Sequence, residues 1–208
     1  LSFNAYYILK KRHLNIAKPT FKIALLVATV FSVAQLFMGH RSADGVSKNQ
    51  PAKLAALEGH YDSTAVADMY LFGWVNNETQ TTTGLKIPGG LSFLIHGDFE
   101  KEVIGLNAFN PEDRPTQVNA IFQFYHLMVA IGLALIALTL YASWQWRKGK
   151  LFDKRWLMSI FVWSVLLPQI ANQVGWFAAE MGRQPWVVYG HLRTSHALSK
   201  AVSAPLPF

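Results

Sequence analysis

An all-α integral membrane fold, with about three transmembrane helices, the end of a fourth and one long extracytoplasmic loop, is predicted by three features of this sequence. Of its 208 residues, 51% are hydrophobic and only 15% charged, a balance too apolar for an ordinary soluble domain. Three stretches have the roughly 20-residue apolar length needed to cross a bilayer. The cations gather at the ends of those stretches instead of spreading over a surface.

Residues 1–20 read as the end of a span, LSFNAYYIL, followed by a basic cytoplasmic turn. Pro19 suits the first turn of the next helix, where no backbone N–H is needed. The first full span is expected over 21–40. Residues 41–117 form the long loop. Within it Asn49 is the expected cap of a short helix from Pro51 to about Glu58, ended by Gly59. The remainder of the loop, rich in Thr, Gly and Asn, is expected to be irregular, with a hairpin at Pro88-Gly89-Gly90. The second span is expected over 118–146, a basic loop over 147–155, and the third span over 156–181. Pro168 should bend that third helix near its middle. Residues 182–208 form a tail too short and too rich in proline to span again.

Lys10, Lys11, Arg12, Lys18 and Lys22 precede the first span, and Arg147, Lys148, Lys150, Lys154 and Arg155 fill the loop between the second and third. Both clusters belong on one side, which the positive-inside rule makes cytoplasmic. The loop 41–117 and the tail then lie outside. The formal net charge of +7 is thus a matter of membrane topology, and no nucleic-acid partner is expected. With no cysteine, any redox centre must use other ligands.

Four groups of residues have chemistry that an apolar span does not explain. Steps of three and four place Asn172, Trp176, Glu180 and Arg183 on one helical face, and an ionisable Glu there needs protein, water or a metal beside it. A simple i,i+3 ion pair between Glu180 and Arg183 is the competing reading. Met128 offers a soft thioether of the kind that ligates haem iron, against the alternative of ordinary packing. His126 stands about 200° around the helix from Met128, so the two cannot share one iron. Lys53 and Glu58 offer a cation and a carboxylate near the membrane, either a donor and acceptor for a ligand or an ordinary amphipathic surface.

The order QPAKLAALEG (50–59), FYHLM (124–128) and GWFAAEMGRQPWVVYGHLRT (175–194) resembles subunit I of the cytochrome bd-type quinol oxidases, matching the later part of that subunit. The resemblance implies that Lys53 and Glu58 lie in the external quinol-binding loop. It implies that Met128 is the axial ligand of a low-spin haem b and Glu180 an axial ligand within a high-spin pair, haem b with haem d or with a second haem b. Trp176 falls on the electron route; His126, Arg183 and Trp186 fall in the haem environment, Arg183 as a partner of propionates. The implied reaction oxidises quinol at the external face and reduces O2 to water. The implied location is a bacterial or archaeal cytoplasmic membrane, with lipid, the upstream helices of subunit I and subunit II as partners. The remaining haem ligands fall on earlier helices absent from this sequence, so the chain alone is not expected to hold a working site. A non-catalytic structural or electron-transfer subunit retaining these motifs is the alternative; a transporter rests on the intramembrane charges alone.

Overall fold

The computed structural model describes residues 1–197. It is mostly helical, in the order α1 Ser2–Leu9, α2 Leu14–Asn49, α3 Pro51–Glu58, β1 Met69–Asn76, β2 Thr81–Ile87, α4 Gly90–His96, α5 Val118–Arg147, α6 Arg155–Trp163, α7 Leu166–Met181, β3 Trp186–Val188 and β4 Leu192–Arg193. Three helical stretches are long and apolar enough to cross a membrane: Leu14–Asn49, Pro111–Arg147 and Arg155–Met181. The chain divides into two compact units, Leu1–Ser42 with Phe124–Trp176, and Ala43–Gln123 with the chain from Phe177 onward. The end of the tail, 198–208, lies outside the described residues.

The first unit is built on Phe21, which is fully buried with Leu25, Leu157, Met158 and Phe161. Its ring meets Phe161 edge-on at 5.1 Å and Phe152 at 6.0 Å. α1 packs on α6, and the Ser2 hydroxyl donates to the Phe161 carbonyl at 2.8 Å. Deeper along α2 and α5, hydroxyls pair across the seam: Thr29 with Ser143 at 2.9 Å and Ser32 with Thr139 at 3.1 Å. Because lipid is as apolar as leucine, such pairs matter more to helix association here than further apolar contact would, at about 0.6 kcal/mol each. Lys22 lies over Trp146, Lys148 over Trp144 and Lys154 over Tyr141, so the basic residues singled out by the sequence sit among aromatic rings.

Local details depart from the expected boundaries for identifiable reasons. α2 begins at Leu14, so Pro19 stands in its second turn rather than its first. The same helix continues past the apolar stretch to Asn49, because Arg41 to Asn49 support polar helical pairs such as Lys48–Asp44 at 2.9 Å. Asn49 is therefore the end of α2, not a cap, and Gln50 is the N-cap residue of α3. The third apolar stretch breaks at Ser164 and Val165 into α6 and α7. Proline at 168 cannot bond the carbonyl of Ser164, four residues earlier, and that carbonyl instead accepts from the Leu167 N–H at 3.3 Å.

The second unit is organised around α3. Gly59 adopts φ 61°, ψ 31°, and the His60 N–H bonds back to the Ala55 carbonyl at 2.8 Å, a left-handed helix stop. The loop beyond it is more regular than its composition suggests. β1 and β2 pair antiparallel, with Asn76 opposite Thr81; the hairpin thus lies upstream of Pro88-Gly89-Gly90, where Gly89, at φ 68°, instead opens α4. Thr82 donates to the Gly59 carbonyl at 2.6 Å, and Gln123 on α5 donates to the Gly73 carbonyl at 2.7 Å. A Cβ on Gly59 would lie 2.8 Å from both Thr82 and Val75. The hairpin therefore closes directly over the end of α3.

His60, just past that stop, is bonded through its ring to the Val103 carbonyl at 3.2 Å. Burial, opposed by that bond and by Asp62 and Asp68, holds its pKa below the ordinary 6.5. A histidine whose native pKa is depressed leaves the unfolded chain binding more protons between the native value and 6.5. We expect the stability of this loop, read from proteolytic cleavage rates in the intact protein, to fall as pH drops through 6.5, and His60→Gln to flatten that fall. An equal pH response in the variant would remove His60 from the account.

Candidate functional site

The candidate residues fall into two groups, one in each unit. In the first, Met128 on α5 is half-buried, and its sulfur packs against Gly175 of α7. A Cβ at position 175 would stand 2.5 Å from that sulfur, so glycine is what lets the thioether occupy this place. His126 meets the neighbouring Tyr125 ring edge-on at 5.3 Å. Trp176 follows Gly175 and is 58% exposed.

The second group gathers where α3 meets the end of α7. α7 closes at Met181, with the Gly182 N–H still bonded to the Ala178 carbonyl at 2.9 Å. Arg183 therefore leaves the helix, and so departs from the single face expected for it, but its guanidinium still reaches back to form an ion pair with Glu180. The i,i+3 pair anticipated from spacing is present. Its Nε is buried without a hydrogen-bond partner among the described residues, a donor left for an anionic group.

Lys53, half-buried on α3, joins this pair. A Cβ on Gly182 would lie 3.3 Å from its Cγ, so its stem runs across the glycine that follows α7. Desolvation first, and then the Arg183 charge, lower the Lys53 pKa below its usual 10.5, while Glu180 opposes them. The three side chains carry two positive charges and one negative, and together they favour a further anion or a strong hydrogen-bond acceptor. Glu58, at the opposite end of α3, is 3% exposed.

Two residues inside these motifs, Gln50 and Arg193, were given no role by the sequence reading. Gln50, the N-cap residue of α3, has a buried side-chain carbonyl with no hydrogen-bond partner among the described residues. It precedes Lys53 by three positions, a spacing that marks one helical face. Arg193 binds Asp113 at 2.6 Å and Glu112 at 3.3 Å. Trp186 stands under Arg193, whose guanidinium is 5.1 Å from the ring centre. No sequence spacing points to pairs eighty residues apart.

The described residues contain no group of three His, Cys, Asp or Glu side chains able to hold a bare metal ion. A lone thioether and a lone carboxylate do fit a haem, whose ring supplies four nitrogens and leaves only axial positions to the protein. The unpartnered Arg183 Nε fits a propionate for the same reason.

Comparisons with known proteins identify the family. The family profile described as cytochrome bd terminal oxidase subunit I matches residues 1–206. The cytochrome bd ubiquinol oxidase subunit 1 of Bacillus subtilis is 30% identical over 97% of this chain and 45% of the relative, and a putative cytochrome bd menaquinol oxidase subunit I of the same organism is 32% identical over 96% and 45%. The solved bd oxidase of Geobacillus thermodenitrificans superimposes with a TM-score of 0.82 at 30% identity, covering 93% of this chain and 45% of that one. The chain spans about half the length of the curated relatives it matches. With its three membrane-length helices and the ordered motifs they carry, it belongs to the family of cytochrome bd oxidase subunit I.

Proposed function

We propose that this chain is the quinol-oxidising and haem-bearing part of a membrane quinol:oxygen oxidoreductase, working with the remaining helices of subunit I and with subunit II. The observation that carries the reading is the junction of Lys53 with Glu180 and Arg183, which puts the two separate motifs of the sequence beside each other. Residues 41–117 and the tail then stand on the extracytoplasmic side, by the positive-inside argument.

Quinol oxidation releases two protons and two electrons. A headgroup seated near α3 would receive a hydrogen bond from Lys53 and give a proton to Glu58. Lys53 has a lowered proton affinity, so it donates a hydrogen bond strongly. Met128 would hold a low-spin haem b from one side through its sulfur. Glu180 would serve the high-spin pair, with Arg183 fixing the carboxylate and meeting a propionate. Trp176, exposed between these two ligand positions on the sequence of α5 and α7, supplies an aromatic surface toward the electron route, with His126 and Trp186 in the surrounding environment. Bound haem supplies the one-electron steps and the oxygen chemistry that no side chain here performs.

Replacing Met128 with leucine keeps the volume and removes the ligand. The reduced-minus-oxidised spectrum of the whole oxidase should lose its low-spin b signal while retaining the high-spin bands; an unchanged spectrum contradicts the ligand role. Glu58→Gln keeps the shape and removes the proton acceptor. Quinol turnover should drop by about 10²-fold or more, the scale of a lost general base, with haem content intact. Turnover equal to the parent would remove Glu58 from the reaction.

A further inference from the structure

Lys18 and Lys22 stand one turn apart on α2, where two like charges at i,i+4 repel. The turn after α5 closes with the Lys150 N–H on the Gln145 carbonyl at 3.0 Å, and the chain then returns Phe152 to α2. Phe152 and Trp146 both pack on the core of the first unit, Phe152 against the fully buried Phe21. The Lys18 ammonium lies 5.5 Å from the centre of the Phe152 ring, and that of Lys22 lies 5.9 Å from the same ring and 5.7 Å from Trp146. Both are within the about 6 Å over which a cation is drawn to an aromatic face. Two ammonium groups are thus held around one ring that the core keeps in place.

Neither has an anionic partner. The ion pairs among the described residues include neither lysine, nor the nearby Asp153. Lys154 differs, since its ammonium donates to the Tyr141 hydroxyl at 2.7 Å. A lysine ammonium carries three donors and accepts nothing, so Lys18 and Lys22 together suit one anion with several oxygens. The same helix says what that anion is attached to. Further steps of four lead from Lys22 to Leu26 and Val30, which are 56% and 58% exposed. At 1.5 Å per residue, Lys22 to Val30 is about 12 Å along the axis, close to the about 15 Å depth of one hydrocarbon leaflet. Charge at the membrane end of a ridge and open apolar side chains below it are the two halves of a phospholipid.

We propose that Lys18, Lys22 and the Phe152 ring form a binding site for the headgroup of an anionic phospholipid, whose acyl chains lie along Leu26 and Val30. The phosphodiester bridges the two ammonium groups and relieves their repulsion. A zwitterionic lipid brings its own cation and does not. By the positive-inside argument this lipid belongs to the cytoplasmic leaflet, where juxtamembrane lysines meet anionic headgroups.

Native mass spectrometry of the whole oxidase, freed of lipid in mild detergent and titrated with dioleoyl-phosphatidylglycerol, tests this. Lys18→Gln combined with Lys22→Gln should lose one tightly held phosphatidylglycerol, the apparent Kd at that site rising about tenfold or more. Lys11→Gln combined with Lys150→Gln removes the same charge from the same side and should bind as the parent does. Lys18→Arg with Lys22→Arg should retain the lipid. With dioleoyl-phosphatidylcholine the difference between parent and variant should vanish, and inorganic phosphate at equal ionic strength should not displace the bound lipid. Haem content should match the parent throughout; if the double variant loses haem, the two single Gln variants carry the test, each weakening binding about three- to fivefold. Equal loss in the Lys11/Lys150 variant reduces the effect to general surface charge and overturns the proposal. So do unchanged binding in Lys18→Gln/Lys22→Gln, equal retention of phosphatidylcholine, displacement by phosphate, or release of a protein subunit in place of lipid.

Discussion

The close approach of α3 to the glycine after α7 is the constraint on which the rest of the second unit depends. Gly182 has no side chain, so the Lys53 stem can cross it; any Cβ there would also lie 2.8 Å from the Ala178 carbonyl. That crossing places an ammonium beside the Glu180–Arg183 pair and removes part of its hydration. An ammonium partly desolvated beside a guanidinium is a charge in search of an acceptor. Whatever binds at this junction meets two cations and one carboxylate already fixed in place, with little reorganisation left to make.

The same economy of small residues appears in the first unit. Gly175 gives its place to the Met128 sulfur, as Gly182 gives its place to Lys53. In both cases a side chain of another helix lies against a glycine in or just after α7. Helices in lipid approach closely through small residues.

Much of the membrane part was legible in the sequence because one physical rule governs it: a span needs sustained apolar length, and charge marks its ends. The break ahead of Pro168 followed from the missing N–H of proline. The loop was less legible. MYLFGWVN and TTTGLKI are short, mixed strands whose pairing depends on docking at Gly59, which no local pattern announces. Gly89 looked like a hairpin residue because a left-handed glycine serves a turn and a helix start equally well. At the candidate site, Lys53, Glu58, Met128, Glu180 and Arg183 were each singled out by the sequence. The meeting of Lys53 with the Glu180–Arg183 pair was not, since well over a hundred residues separate them. The pairing of Arg193 with Asp113 was hidden for the same reason, since it is set by the fold alone.

The most direct test of the shared junction is photoaffinity labelling of the intact oxidase with a photoreactive quinone, followed by peptide mapping. The account predicts that label falls on residues 50–59 and on residues 183–189 together, and that excess unlabelled quinol protects both segments. Label confined to other parts of the complex, or protection of one segment without the other, would contradict it.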